Sequence, residues 1–146
     1  LTTVRGLNRL LYWLTTSGDP VENAEQSTRQ VLVADDSAVS DAFYGVLAAS
    51  QRMPERGRSL RSLQLAQGSF GRVHPIFDLR DELVGIERPT CFVWGTEDSF
   101  WKPDVGRPVA ESMPDAGFHE LDGYGHAPWL EPGDEVAARV RAFLDR

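Results

Sequence analysis

The sequence predicts an α/β layer fold over residues 76–146, behind an all-helical unit over residues 1–75. Three observations carry that division. Before residue 75 the apolar residues recur at helical spacing. After it, two short runs of strand character each precede an amphipathic segment, which is the strand–helix–strand–helix order of a parallel layer. Each run also leads directly into a loop that carries an ionisable side chain, and glycines flank or fill both loops.

The elements follow in order. Leu7, Leu10, Leu11 and Leu14 share one helical face, and Gly18-Asp19-Pro20 ends that helix. A polar helix is expected over residues 21–33. Ser37 is placed to cap a third, whose apolar side is Val39, Phe43, Val46 and Leu47. A fourth begins after Met53-Pro54 and uses Leu60, Leu63 and Phe70. Tyr12, Trp13, Phe43, Tyr44 and Phe70 are expected in the core of this helical unit. In the second half, Pro89-Thr90-Cys91-Phe92-Val93-Trp94-Gly95 reads as a strand buried on both faces. The next helix takes Pro108 in its first turn, buries Val109, Ala110 and Met113, and stops at Pro114. Phe118-His119-Glu120-Leu121 is a second strand, less apolar and so nearer a sheet edge. The last helix opens on Pro132, Asp134 and Glu135 and presents Val136, Val140, Phe143 and Leu144.

Composition narrows the function. A chain of 146 residues that is 41% hydrophobic can bury a core. The formal charge of −7, from 22 acids against 15 bases, argues against a nucleic-acid partner, which needs a basic face. No stretch approaches the ~20 apolar residues of a membrane span. The single cysteine, Cys91, rules out an internal disulfide and fits a reducing compartment, so the expected location is cytoplasmic. The chain opens on Leu1 rather than Met, which leaves room for a segment before it.

The chemistry lies in the two loops. Gly95-Thr96-Glu97-Asp98-Ser99-Phe100-Trp101 follows the first strand, and Gly123-Tyr124-Gly125-His126-Ala127-Pro128-Trp129 follows the second. Working residues in open α/β sheets gather at the carboxyl ends of strands. An acid and an imidazole there can hydrogen-bond, so that the carboxylate sets the imidazole tautomer and stabilises the imidazolium. Taken singly, Asp98 also reads as a turn former and His126 as an ordinary loop residue. His74, before a proline, reads as an extended connector, and His119 as a strand residue.

The run from Ile86 to Asp98 is similar to the segment around the acid of α/β-hydrolases. Gly123-Tyr124-Gly125-His126, with Trp129-Leu130-Glu131-Pro132, resembles their histidine loop and final helix. The resemblance covers residues 76–146 in detail, while residues 1–75 match only in kind, as a helical cap. It implies a partial α/β-hydrolase fold: the cap, then the last two strands and helices of a mostly parallel sheet. It also implies Asp98 as the acid and His126 as the general base of a nucleophile–His–acid triad, with Trp101 and Trp129 lining the pocket of a small-molecule substrate. The implied reaction is hydrolysis of an ester or related bond. An aspartate nucleophile would shift it to haloalkanes or epoxides. No metal or organic cofactor is implied.

The departure from the family is the nucleophile. Its G-x-S-x-G elbow joins a strand to a helix upstream of the cap, and no such motif occurs here. Gln67-Gly68-Ser69-Phe70-Gly71 has Gln where the first Gly belongs, and follows a helix. Two strands alone also leave an uncovered sheet edge. A complementary N-terminal half of the fold, or a separate chain, is therefore expected as partner. The rival reading is a non-catalytic protein that keeps the scaffold to bind a ligand or partner.

Overall fold

Helical spacing in the first half and short apolar runs in the second become helices and strands in a computed structural model, which describes residues 7–69 and 72–146. The chain forms two compact units, Leu1–Glu25 with Ser40–Leu79, and Gln26–Val39 with Arg80–Arg146. The single boundary drawn near residue 75 thus misses one feature, since residues 26–39 belong with the second unit.

In the first unit, α1 (Leu7–Thr16) packs on α4 (Arg56–Gln67), which in turn meets α3 (Asp41–Gln51). Gly18, at φ +102°, turns the chain after α1. Asp19 then caps α2 (Pro20–Ser27), its Oδ1 accepting from the N–H groups of Val21 and Glu22. The third helix is capped by Ser40, whose hydroxyl accepts from Phe43 N at 3.3 Å, and not by Ser37. Ser37 instead donates its N–H to Asp35, in a turn before the helix. Tyr44 is buried and meets Phe43 edge-on, whereas Trp13, expected in the core, is 62% exposed. The side chains of Leu11 and Tyr12, and all of Phe70, lie outside the described residues. Helix α4 leads into a two-residue pair, β1 (Gly68–Ser69) with β2 (Arg72–Val73).

The second unit starts with the end of α2, which runs on as a π-helical turn, Thr28–Leu32. After the short α5 (Arg80–Leu83) comes β3 (Thr90–Gly95), parallel to β4 (Ala116–Leu121), with Thr90 opposite Ala116 and Gly95 opposite Leu121. The crossover is α6 (Pro103–Ser112), and α7 (Glu135–Leu144) also packs on β3. Strand alternation puts Phe92 and Trp94 on one face, where both rings meet Phe118. Gly106 of α6 lies against the Trp94 indole, where a Cβ would find no room.

Three expectations for the second half need correction. β3 is half-buried along most of its length, not buried on both faces, because among the described residues it has one neighbouring strand. Pro103, and not Pro108, occupies the first turn of α6; Pro108 lies inside the helix with its ring exposed. The last helix starts at Glu135, after Pro132. Its apolar face is only partly covered, with Leu144 71% exposed. Among the described residues no helix is long and apolar enough to cross a membrane.

Candidate active site

The parallel register brings the ends of β3 and β4 level, so the two loops leave the sheet side by side. They are laced together by backbone: Thr96 N donates to Leu121 O at 3.0 Å and Glu97 N to Tyr124 O at 2.8 Å. Gly123 N also donates to the Thr96 hydroxyl at 2.9 Å. The first loop turns on Asp98, whose Oδ1 accepts from Phe100 N at 2.7 Å and Trp101 N at 3.1 Å. Its second oxygen, Oδ2, lies 2.9 Å from Nδ1 of His126. Asp98 is 5% exposed. Burial pushes its carboxyl up, but the hydrogen bonds with His126 and with the Trp101 and Phe100 N–H groups outweigh it. The net result is a pKa below the ordinary 3.8. An ionised carboxylate only accepts, so the proton in that contact belongs to Nδ1. In the neutral ring, Nε2 then keeps its lone pair and can take a proton.

The imidazole is held from several sides. Phe100 lies against it, with ring centroids 4.5 Å apart. Gly125 N donates to the buried Glu131 carboxylate at 2.5 Å, and Ala127 N to Leu32 O at 2.7 Å. Tyr124, earlier in the same loop, meets Glu135 of α7 at 2.5 Å and the Pro132 carbonyl at 2.8 Å. The bond to Glu135, with burial and the charges of Glu135, Glu131 and Asp134, pushes the Tyr124 phenol up to about 12.

No family model matches the chain. A putative lipase from Acinetobacter baumannii superposes at a TM-score of 0.69 with 18% identity, over 94% of this chain and 44% of its own. This is an α/β-hydrolase fold, present in part. A 2-hydroxy-6-oxononadienedioate/2-hydroxy-6-oxononatrienedioate hydrolase from Pseudomonas is 26% identical over 127 residues, 86% of this chain and 42% of the relative. A pimeloyl acyl-carrier-protein methyl ester esterase from Stenotrophomonas maltophilia is 30% identical over 99 residues, 64% of this chain and 35% of the relative. The chain spans less than half the length of each of these three proteins.

Within this α/β-hydrolase fold, the residues singled out in the sequence fare differently. Asp98 and His126 come together. Trp101 enters the site through its backbone, its N–H on Asp98 and its carbonyl accepting from the Trp94 indole at 2.8 Å, while the residue as a whole is 55% exposed. Trp129 stands in a 3-10 turn after the histidine and is also largely exposed. Ser69, in the string nearest to a nucleophile motif, follows α4 and pairs with Arg72 in β1–β2, which is no strand-to-helix elbow. Sequence reasoning missed Phe100 and Glu131. Glu131 did carry a signal, as a single charge between Trp129-Leu130 and Pro132, but two of its three partners lie almost a hundred residues away.

The lowered Asp98 pKa fixes the sign of a pH effect. A carboxyl with a folded value below its unfolded one stabilises the fold above the unfolded value, near 3.8, and loses that contribution as pH falls through the folded value. Replacing His126 with Ala removes the foremost of the lowering hydrogen bonds. The Asp98 pKa is expected to rise, as read from carbon-13 shifts of its carboxyl during an acid titration. An unchanged Asp98 titration would show that the two backbone N–H groups alone hold it down.

Proposed function

We propose that this chain supplies the general base and the orienting acid of a hydrolase acting on an ester or related bond of a small molecule. The nucleophile comes from a complementary part of the fold. The observation that carries the reading is the 2.9 Å contact of His126 Nδ1 with Asp98 Oδ2, made by a carboxylate whose other oxygen is already occupied. In this reaction His126 Nε2 takes the proton of the attacking nucleophile and then delivers it to the leaving group. Asp98 keeps the ring in the required tautomer and stabilises the imidazolium. The exposed rings of Phe100, Trp101 and Trp129 supply apolar surface for the substrate. A complementary part of the fold is supported by the single neighbour of β3 among the described residues and by the uncovered end of α7.

The test is intact mass combined with a fluorophosphonate probe, on protein purified under native conditions. The expected result is a label on polypeptide outside residues 1–146, lost on His126→Ala. A label on this chain's own 16.2 kDa would overturn the placement of the nucleophile. Labelling that survives His126→Ala would overturn the role of the base. No label and no companion polypeptide would favour the binding scaffold.

A further inference from the structure

Glu131 is a charged group that the proposed proton transfer does not use, yet it is only 6% exposed. An ionised carboxylate in such a place needs donors, and it has three, all from backbone. Oε1 accepts from Gly125 N at 2.5 Å, and Oε2 accepts from Ala34 N at 3.0 Å and Asp35 N at 2.8 Å. One oxygen therefore serves the histidine loop and the other serves a strap, residues 28–36, from much earlier in the chain.

That strap reaches both loops. Its Leu32 carbonyl accepts from Ala127 N at 2.7 Å, so the residues on either side of His126 are both tied, one through Glu131 and one directly. Its Gln30 carbonyl accepts from the Ser99 hydroxyl at 3.3 Å, next to Asp98. Arg29 and Asp36 pair at 2.5 Å across the strap and draw its ends together. The approach is close as well. A Cβ on Gly125 would lie 2.8 Å from Ala34 N and 2.9 Å from Leu32 O, tighter than real contacts allow.

We infer that Glu131 is a positioning residue, which clamps the 28–36 strap to the histidine loop and thereby sets the distance from His126 to Asp98. The inference rests on the proposed roles of those two residues and extends them. A carboxylate suits the task because it offers two acceptor oxygens. An amide of the same shape offers one acceptor and one donor, so it can satisfy Gly125 or the strap, but not both.

The test is proton and nitrogen-15 NMR of the His126 ring in the whole chain, with any co-purifying partner retained. Asp98→Asn, Glu131→Gln and Glu135→Ala are compared with the unaltered chain. The unaltered chain should show a protected, downfield Nδ1–H resonance that vanishes in Asp98→Asn. Glu131→Gln should lose or broaden it while keeping the native circular-dichroism spectrum. Glu135→Ala, which removes the Tyr124 bond to α7 and leaves the three backbone bonds to Glu131 in place, should retain it. If Asp98→Asn leaves the resonance intact, the acid–base pairing itself is wrong. If Asp98→Asn abolishes it and a folded Glu131→Gln does not, the pairing stands and the clamp falls. Should Glu131→Gln fail to fold, hydrogen exchange in the unaltered chain decides. The Gly125, Ala34 and Asp35 amides should then be protected together, and exchange of Gly125 at the rate of a free loop amide would overturn the clamp.

Discussion

Asp98→Asn, in protein that holds the nucleophile, is expected to lower the rate of hydrolysis by about 10⁴-fold while leaving the fold in place. The size of the effect follows from the two oxygens having different duties. Oδ1 accepts from two backbone N–H groups, of Phe100 and Trp101, and that position tolerates only an acceptor. The asparagine carbonyl must therefore take the Oδ1 position, which turns the amide NH2 toward His126. Facing a donor, Nδ1 presents its lone pair and the ring proton moves to Nε2. The nitrogen that should receive the nucleophile's proton is then already protonated. Steady-state kinetics and circular dichroism on the same sample check both parts of the expectation. A loss of less than tenfold would mean that the tautomer is set by something other than Asp98, and the triad reading would not survive it.

How much of this was legible in the sequence depends on the reach of the interaction concerned. The Asp98 turn spans two and three residues, and the strand before it is a continuous apolar run, so the acid loop could be read directly. His126 lies 28 residues from Asp98, but parallel pairing of two adjacent strands makes their loops neighbours, and that too follows from strand order. Local choices between like residues were harder. Ser37 and Ser40 both suit a cap, and the chain enters the helix at Ser40, which is extended at φ −78° and ψ 150° and accepts from Phe43 N. Pro103 and Pro108 both suit a first turn, and the helix takes the earlier one because an exposed Pro108 costs it a hydrogen bond without a clash in the core. The strap of residues 28–36 was out of reach. Its bonds to Glu131 cross 96 and 97 residues and are made by backbone N–H groups, which leave no trace in residue type.

Gly95→Ala is expected to destabilise the second unit by about 3 kcal/mol or more, the upper end of the usual cost of overpacking. Gly95 is the buried last residue of β3, and its φ is not left-handed, so the backbone conformation alone would accept alanine. Space is what forbids it. An alanine Cβ would fall on the carbonyl oxygens of both Tyr124 and Gly125, well inside van der Waals contact. Neither neighbour is free to retreat. The Tyr124 carbonyl accepts from Glu97 N, and Gly125 is held through its N–H by Glu131. Room for the methyl would have to come from separating the two loops, which also separates Asp98 from His126. Gly45→Ala is the matching control. Gly45 sits inside α3 with nothing within 4 Å of an added methyl, so there alanine should stabilise by roughly 0.5–1 kcal/mol through its better helix propensity. Urea denaturation of the two variants should give midpoints displaced in opposite directions. If both shift alike, the crossing at Gly95 is looser than its geometry, and the His126–Asp98 spacing must be held by the strap instead.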